Sequence, residues 1–413
     1  MPSSYETMSA DLAVSVKELL KSHGKPPREV YLDHENSGVI FPEALKAMVE
    51  AYSRGYGHPS ITHKVGWEAY ELLYESAEVI ARAIGANTEE LTFTHSGTEA
   101  NNLAVMGSAF AASGRGRIVV SEIEHLSVIF PAEKLSKLGF EVVKVPVDSE
   151  GFVDLDILSS VVDKDTLLVS VGLVNHEIGT VQDVKAIVEV VKDRNPDALV
   201  HTDAVDALGR LKLDVGDLGV DLASFSSHKV YGPKGAGALY VRKGVKIEPV
   251  IHGQLSTQKL WPGVENVPAI TGFAKAVEIV TKNLDKYARK MARLRDELID
   301  GILGSVDYSL LNGPRWKRAP DNVNISFLYC EGEALTVELS LRGVYVSSGS
   351  ACTSRILEPS HVLLAIGRRY EEAHGSILMK VTPMHSMEDI KYVLEQVPQA
   401  VERIRSIGPV TPR

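Results

Sequence analysis

Short apolar runs that alternate with helical patterns constrain this chain more than any other feature. The runs are 91–93, Arg117–Ser121, Glu141–Val145, 167–174, 198–202, 222–225 and Gly237–Val241. Stretches of helical period, such as 66–84 and 184–193, separate them. Strands joined through helices imply crossover connections and a mostly parallel sheet covered on both faces. The expected class is therefore α/β, and the carboxyl ends of the strands are where a ligand would sit.

After Pro268 the texture changes. A helical run over 270–302 precedes strands near 322–328 and 343–347, and the chain closes on a helix at Met387–Ile407. Ser386 and Asp389 have capping-box spacing at its start, with Asp in place of Glu or Gln. These signals predict a large domain over 25–267 and a smaller α+β domain from 1–24 and 268–413. A short amphipathic helix is expected at 12–20, and a strand at Val30-Tyr31-Leu32. The length of 413 residues suits two or three domains at about 150 residues each.

Composition removes several function classes. Lys and Arg number 44 against 54 Asp and Glu, a net charge of −10, which argues against broad nucleic-acid binding. No apolar run approaches the roughly 18 residues of a membrane helix. The first 25 residues show no secretory pattern. Two cysteines, Cys330 and Cys352, suggest reduced thiols and a cytoplasmic setting. No four-ligand zinc spacing and no phosphate-binding glycine loop of the GxxxxGK[ST] or GxGxxG kind is present.

Four segments at strand ends carry candidate chemistry. Ser226-Ser227-His228-Lys229 follows the run 222–225, with a glycine-rich stretch after it. Read alone, Lys229 fits an exposed surface lysine better than a Schiff-base lysine. Asp203 closes the run 198–202 and is either a helix cap or an acidic partner for a cationic ring nitrogen. The stretch from Thr94 to Asn102 puts hydroxyls and Gly97 at a helix start, which suits an anion and plain capping equally. Cys352 lies among small polar residues, as a reactive thiol would, whereas Cys330 has a structural context.

Together, in this order and spacing, these motifs resemble the cysteine desulfurases of the fold-type I pyridoxal-phosphate (PLP) enzymes, in the class V aminotransferase group. The resemblance runs from Tyr31-Leu32-Asp33 to the last helix. It includes Gly57-His58-Pro59-Ser60 with His63 and Gly66, Ser96-Gly97-Thr98-Glu99-Ala100-Asn101-Asn102, and Glu124-His125-Leu126-Ser127-Val128. It continues through Val174-Asn175-His176-Glu177-Ile178-Gly179-Thr180 and Ser227-His228-Lys229. The most diagnostic part is the Ser348 to Ser354 loop, followed by Leu357-Glu358-Pro359-Ser360.

The resemblance implies a fold-type I transferase in which Lys229 binds PLP covalently and later moves protons. Asp203 would pair with the ring nitrogen, and His125 would stack on the ring and act in acid–base steps. Gly97, Thr98, Ser226 and His228 would hold the phosphate. Cys352 would attack the sulfur of bound L-cysteine, leaving alanine and a persulfide for an acceptor such as an iron–sulfur scaffold or a sulfur carrier. A homodimer with active sites near the subunit interface is implied. No direct nucleic-acid partner, membrane or metal is.

The resemblance breaks at several positions. His176 stands where the family has a second asparagine, and Asp206 where it has glutamine, both near the cofactor's phenolic oxygen. A lone carboxylate there would raise the pKa of the Lys229 linkage, and a histidine would offset it. A coupled His176–Asp206 pair is therefore expected. Leu378 replaces the arginine for the substrate carboxylate. Lys380 is the candidate substitute, on the same strand face and displaced by about 6–7 Å. Val264 replaces a phosphate-binding threonine, and Asn36-Ser37-Gly38 replaces Ala-Thr-Thr, which makes Asn36 a candidate substrate contact. These changes leave two other readings open. One is a C–S or C–Se lyase acting on selenocysteine, cystine or a modified cysteine. The other is a non-catalytic homologue that docks sulfur partners.

Overall fold

The structure is a computed structural model that describes residues 18, 24–112, 115–349 and 359–408. Its strands, in chain order, are β1 (Val30–Tyr31), β2 (Leu91–Thr94), β3 (Arg117–Ser121), β4 (Glu141–Val145) and β5 (Thr166–Ser170). Then come β6 (Leu199–Asp203), β7 (Leu222–Ser226), β8 (Gly237–Val241), β9 (Ser309–Leu311) and β10 (Asn322–Phe327). β11 (Val344–Tyr345), β12 (Ser347–Ser348) and β13 (Ser376–Lys380) complete the set.

Seven strands form the main sheet in the order β2-β8-β7-β6-β5-β3-β4. The β4-β3-β5-β6-β7 block is parallel, while β8 runs antiparallel to both β7 and β2. β2 thus points the same way as β7. The parallel strands carry apolar residues on both faces, and β7, Leu-Ala-Ser-Phe-Ser, is buried throughout. The winding reverses between β3 and β5, and a crevice opens there at the carboxyl ends.

A second sheet, β12-β13-β10-β9, is antiparallel, and β1 pairs in parallel with β11. A separate apolar cluster covers this part and includes Val30 and Leu32 from the start of the described chain. The α/β class is as expected. The helix that begins at the expected division, 267/268, packs on the larger core. Helix Val267–Lys282 places Ile270, Phe273 and Val277 in the larger core, against the helices Pro42–Arg54 and Lys64–Ile84. The single helix expected over 270–302 is two, Val267–Lys282 and Leu284–Ser305, broken at Asn283. There the Asn283 side chain donates to the Ile279 carbonyl at 2.9 Å and competes with continuation of the helix. The closing helix spans Met387–Ile407 with its Ser386–Asp389 capping box in place. The helix expected at 12–20 lies outside the described residues.

Candidate active site

Every motif singled out in the main sheet arrives at one rim. His125 follows β3, and Asn175 and His176 follow β5. Asp203 ends β6 and Ser226 ends β7. Helix Gly97–Ala111 starts just after β2. They line a cavity of ≈ 230 Å³ together with Glu35, Asn36, Asp206, His228 and Lys229.

The start of helix Gly97–Ala111 settles the choice between capping and anion binding atom by atom. Ser96 Oγ accepts from the Glu99 N–H at 3.2 Å and so caps the helix. The N–H groups of Gly97 and Thr98 have no carbonyl within the helix to bond. A Cβ on Gly97 would meet Val205 Cγ2 at 2.7 Å and Ser226 Cβ at 3.2 Å, so only glycine lets the helix approach this closely. Across from these N–H groups, Ser226 Oγ and His228 Nδ1 are buried without a hydrogen-bond partner. Unpaired donors beside a positive helix end suit a phosphate.

Lys229 sits in a single 3₁₀ turn, Ser227–Val230, at the end of β7. That turn closes through Tyr231, a non-glycine residue at φ 64. The side chain enters the cavity and is 6% exposed, which excludes the surface-lysine reading. Its Nζ donates to Glu35 Oε1 and lies 3.3 Å from Asp206 Oδ2.

Asp203 is held from the protein side. Its Oδ1 accepts from the Val205 N–H at 3.0 Å, and its Oδ2 from Asn101 Nδ2 at 2.7 Å. Burial pushes its carboxyl up, partly offset by His125. Among the described residues no cation is ion-paired with it, so a cationic ring nitrogen would complete the site. Asn101 Nδ2 also reaches Ser127 Oγ at 2.8 Å, and Ser127 Oγ is 2.7 Å from His125 Nδ1. His125 Nδ1 further accepts the Ser127 N–H at 3.1 Å. A continuous chain of hydrogen bonds thus runs from Asp203 to the His125 ring and fixes the ring's orientation.

Two expected arrangements have other direct partners in the structure. Among the described residues no hydrogen bond joins His176 to Asp206. His176 instead meets His125 edge to face, 5.0 Å between centroids, and burial holds it well below the ordinary histidine range, with the Asp206 charge opposing. Asp206 is taken by lysines. Burial would raise its carboxyl, but Lys229 and Lys380 outweigh that and hold it well below the carboxylate range. Lys380 is not available as a substrate anchor. Its Nζ is 2.5 Å from Glu35 Oε2 and 2.5 Å from Asp206 Oδ1, it is 1% exposed, and it is not part of the cavity lining. Two carboxylates thus already hold that ammonium away from the cavity.

The remaining candidates fall as follows. Asn36 lines the main cavity and donates to Asp33 Oδ1 at 2.7 Å. Leu378 lines a smaller adjoining recess with Glu35, Asn36, His176, Glu177 and Gly349. Val264 is exposed. Cys330 is buried and its thiol is pushed up by burial, as a structural cysteine should be. Cys352 lies outside the described residues. No cluster of metal-ligating side chains is present among the described residues, and no helix there is long and apolar enough to cross a membrane.

Sequence reasoning missed Glu35, Asn101, Ser127, Glu124 and Glu177 as parts of the site. Burial pushes Glu124 and Glu177 both up to about 8. The available signal was polar residues clustered beside each strand end, at Asp33 to Asn36 and at Glu124, His125 and Ser127, where core packing asks for none.

Comparison with known proteins decides the family. The model of "Aminotransferase class-V" matches residues 30–393. The chain belongs to the class-V aminotransferase family. Within it, this chain stands with the cysteine desulfurases. It is 44% identical over 383 residues to cysteine desulfurase IscS of Dictyoglomus turgidum, covering 92% of this chain and 97% of that one. It is 42% identical over 381 residues to cysteine desulfurase IscS 1 of Archaeoglobus fulgidus, covering 92% and 99%. Among solved structures, a NifS-like protein superposes with a TM-score of 0.84 at 34% identity, covering 91% of this chain and all of that one. SspA in complex with cysteine superposes at 0.76 with 30% identity, covering 86% and 99%. This class-V aminotransferase therefore has the large, mostly parallel sheet of those folds with its candidate site at the expected rim.

Proposed function

We propose that this protein is a PLP-dependent cysteine desulfurase that converts L-cysteine to L-alanine and passes the sulfur on as a persulfide of Cys352. The observation that carries the cofactor is the pair of unpaired buried donors, Ser226 Oγ and His228 Nδ1, facing the open N–H groups of Gly97 and Thr98, with Lys229 in the same cavity. These residues fit the phosphate and aldehyde of PLP, and the unpaired Asp203 carboxylate fits its ring nitrogen. When bound, PLP supplies the electron sink that lets bonds at the substrate α-carbon ionise.

The chain's own residues do the rest. Asp203, braced by Asn101 and the Val205 N–H, offers a fixed acceptor to a protonated ring nitrogen. Ser127 holds the His125 ring at the cavity wall. Lys229 Nζ carries the protons, because it is the amine that faces the cavity between two carboxylates. His176 and His228 stay neutral through burial, His228 down to about 4, so they act as hydrogen-bonding groups rather than charges.

One observation favours a second reading. With Leu378 apolar and Lys380 spent on Glu35 and Asp206, none of the described lysines or arginines other than Lys229 lines the cavity to meet a substrate carboxylate. A C–S or C–Se lyase acting on selenocysteine, cystine or a modified cysteine shares every other feature.

Mixing the purified protein with PLP and L-cysteine tests the assignment. The expected result is a visible absorption on PLP addition, then alanine and sulfide in equal amounts with a reductant. Cys352→Ala should keep the absorption and lose persulfide. Turnover of the analogues but not of L-cysteine would select the second reading, and a colourless protein would remove both.

A homodimer is part of the proposal. Val49 and Tyr52 on helix Pro42–Arg54, and Trp67 and Tyr74 on helix Lys64–Ile84, are each 45–59% exposed. Tyr70 stacks between Trp67 and Tyr74, with centroids 5.5 and 6.2 Å away. An apolar outer face of that kind is what a partner subunit covers. The sulfur acceptor would be an iron–sulfur scaffold or a sulfur carrier, and the setting the cytoplasm.

A further inference from the structure

Four charged side chains from four distant segments close a ring at the cavity wall. Lys229 follows β7, Asp206 follows β6, Glu35 follows β1 and Lys380 ends β13. Each carboxylate touches both ammonium groups, one oxygen to each. All four side chains are at most 9% exposed. The ring is neutral, two charges of each sign, and three of its members line the cavity.

The surroundings add little net charge. Arg210 lies behind the ring and donates to the Lys229 carbonyl at 3.0 Å, but Asp321 pairs with it. Burial holds His176 and His228 below the ordinary histidine range. Burial raises the carboxyls of Asp33, Asp203 and Glu177, which weakens their charge toward Glu35 and Asp206. Tyr231 is likewise raised by burial and stays a neutral phenol. The charges that act on Lys229 Nζ are therefore Glu35 and Asp206 in contact, with Lys380 one step beyond.

We propose that Glu35, gripped between Lys229 and Lys380, is a positioning residue that keeps the Lys229 nitrogen protonated once that nitrogen is joined to PLP. The inference rests on the PLP reading above. A proton on that nitrogen makes the attached carbon a better electrophile for a substrate amine. Glu35 and Asp206 stand on segments separate from Lys229, so their negative charge would still act on the nitrogen when PLP is joined to it. Lys380 limits the effect, because it draws on the same two carboxylates. A Lys229 ammonium free of PLP would be held by Glu35 and Asp206 in the arrangement seen here.

The test is a pH titration of the visible absorption of bound PLP, with cofactor affinity and thermal melting measured alongside. Glu35→Gln is expected to lower the midpoint by about one pH unit or more. Glu35→Asp, which keeps the charge but withdraws it, should fall between wild type and Glu35→Gln. Lys380→Met should move the midpoint up. Any two of these variants that fold and bind PLP establish the order. Coincident midpoints, or a reversed order, in variants that melt cooperatively and bind PLP would overturn the inference while leaving the PLP reading intact. A wild-type protein that takes up no PLP would overturn that reading, and this inference with it.

Discussion

Glu177 shows what one buried carboxyl weighs. It accepts from Ser360 Oγ at 2.5 Å, while its other oxygen is buried without a partner beside the Gly349 backbone. Burial lifts it to about 8 from an ordinary 4.5, with the Ser360 bond opposing and the Glu35 charge adding. The folded state then holds this proton more tightly than the unfolded chain does. Its contribution is intact below about pH 4.5 and is lost as pH climbs through the folded value. Between pH 6 and 9 this group alone should remove on the order of 2–3 kcal/mol. Glu177→Gln keeps a neutral side chain of the same size, so its melting temperature should fall less than that of wild type over the same range. Parallel falls would show that the carboxyl is not held protonated. Asn101 is the second residue with a measurable weight, because one amide serves both Asp203 and Ser127. Asn101→Ala should weaken PLP binding about tenfold, roughly 1.4 kcal/mol, in an absorbance titration. An unchanged affinity would show that Asp203 needs no brace.

Elements were legible where local signals and tertiary packing agree. β3, β4 and β8 match the apolar runs residue for residue, and Ser386 and Asp389 marked the start of Met387–Ile407. Ser386→Ala should cost about 1 kcal/mol of stability in a denaturant melt, through loss of the bond to the Asp389 N–H. What was illegible has a physical cause. Helical period continues across Asn283, so the break in 270–302 depends on packing that no window reveals. β11 and β12 are two-residue strands that exist only because β1 and β13 lie beside them. Helix Gly97–Ala111 is an intermediate case. Its polar start announced either a cap or an anion site, and only the nearness of Val205 and Ser226 shows that it is both. Gly97→Ala should therefore hurt twice, costing on the order of 1–3 kcal/mol by overpacking and displacing the two N–H groups from the cavity. Melting and PLP titration would separate the two effects. A normal melt with normal PLP affinity would deny the tight approach.

At the scale of the whole molecule, the site is an agreement between parts that share no local sequence. The candidate residues at the ends of the main-sheet strands were readable, because a parallel sheet announces its own ligand rim. The far side of the ion ring was not. Glu35 reaches Lys229 from a loop after β1, a strand that pairs with β11 and belongs to the smaller cluster, and Lys380 reaches Glu35 and Asp206 from β13 in the smaller sheet. The ion ring thus ties the two cores together through the Lys229 amine. Buried pairs of this kind weigh asymmetrically: breaking one leaves an uncompensated charge, whereas removing both members together does not. Glu35→Gln and Lys380→Met should each cost about 3–5 kcal/mol, and the double variant clearly less than their sum. Chemical denaturation of the four proteins checks this. Additive losses would mean that Glu35 and Lys380 act independently, each satisfied through Asp206 and Lys229 alone, and the smaller sheet would then have no electrostatic hold on Lys229.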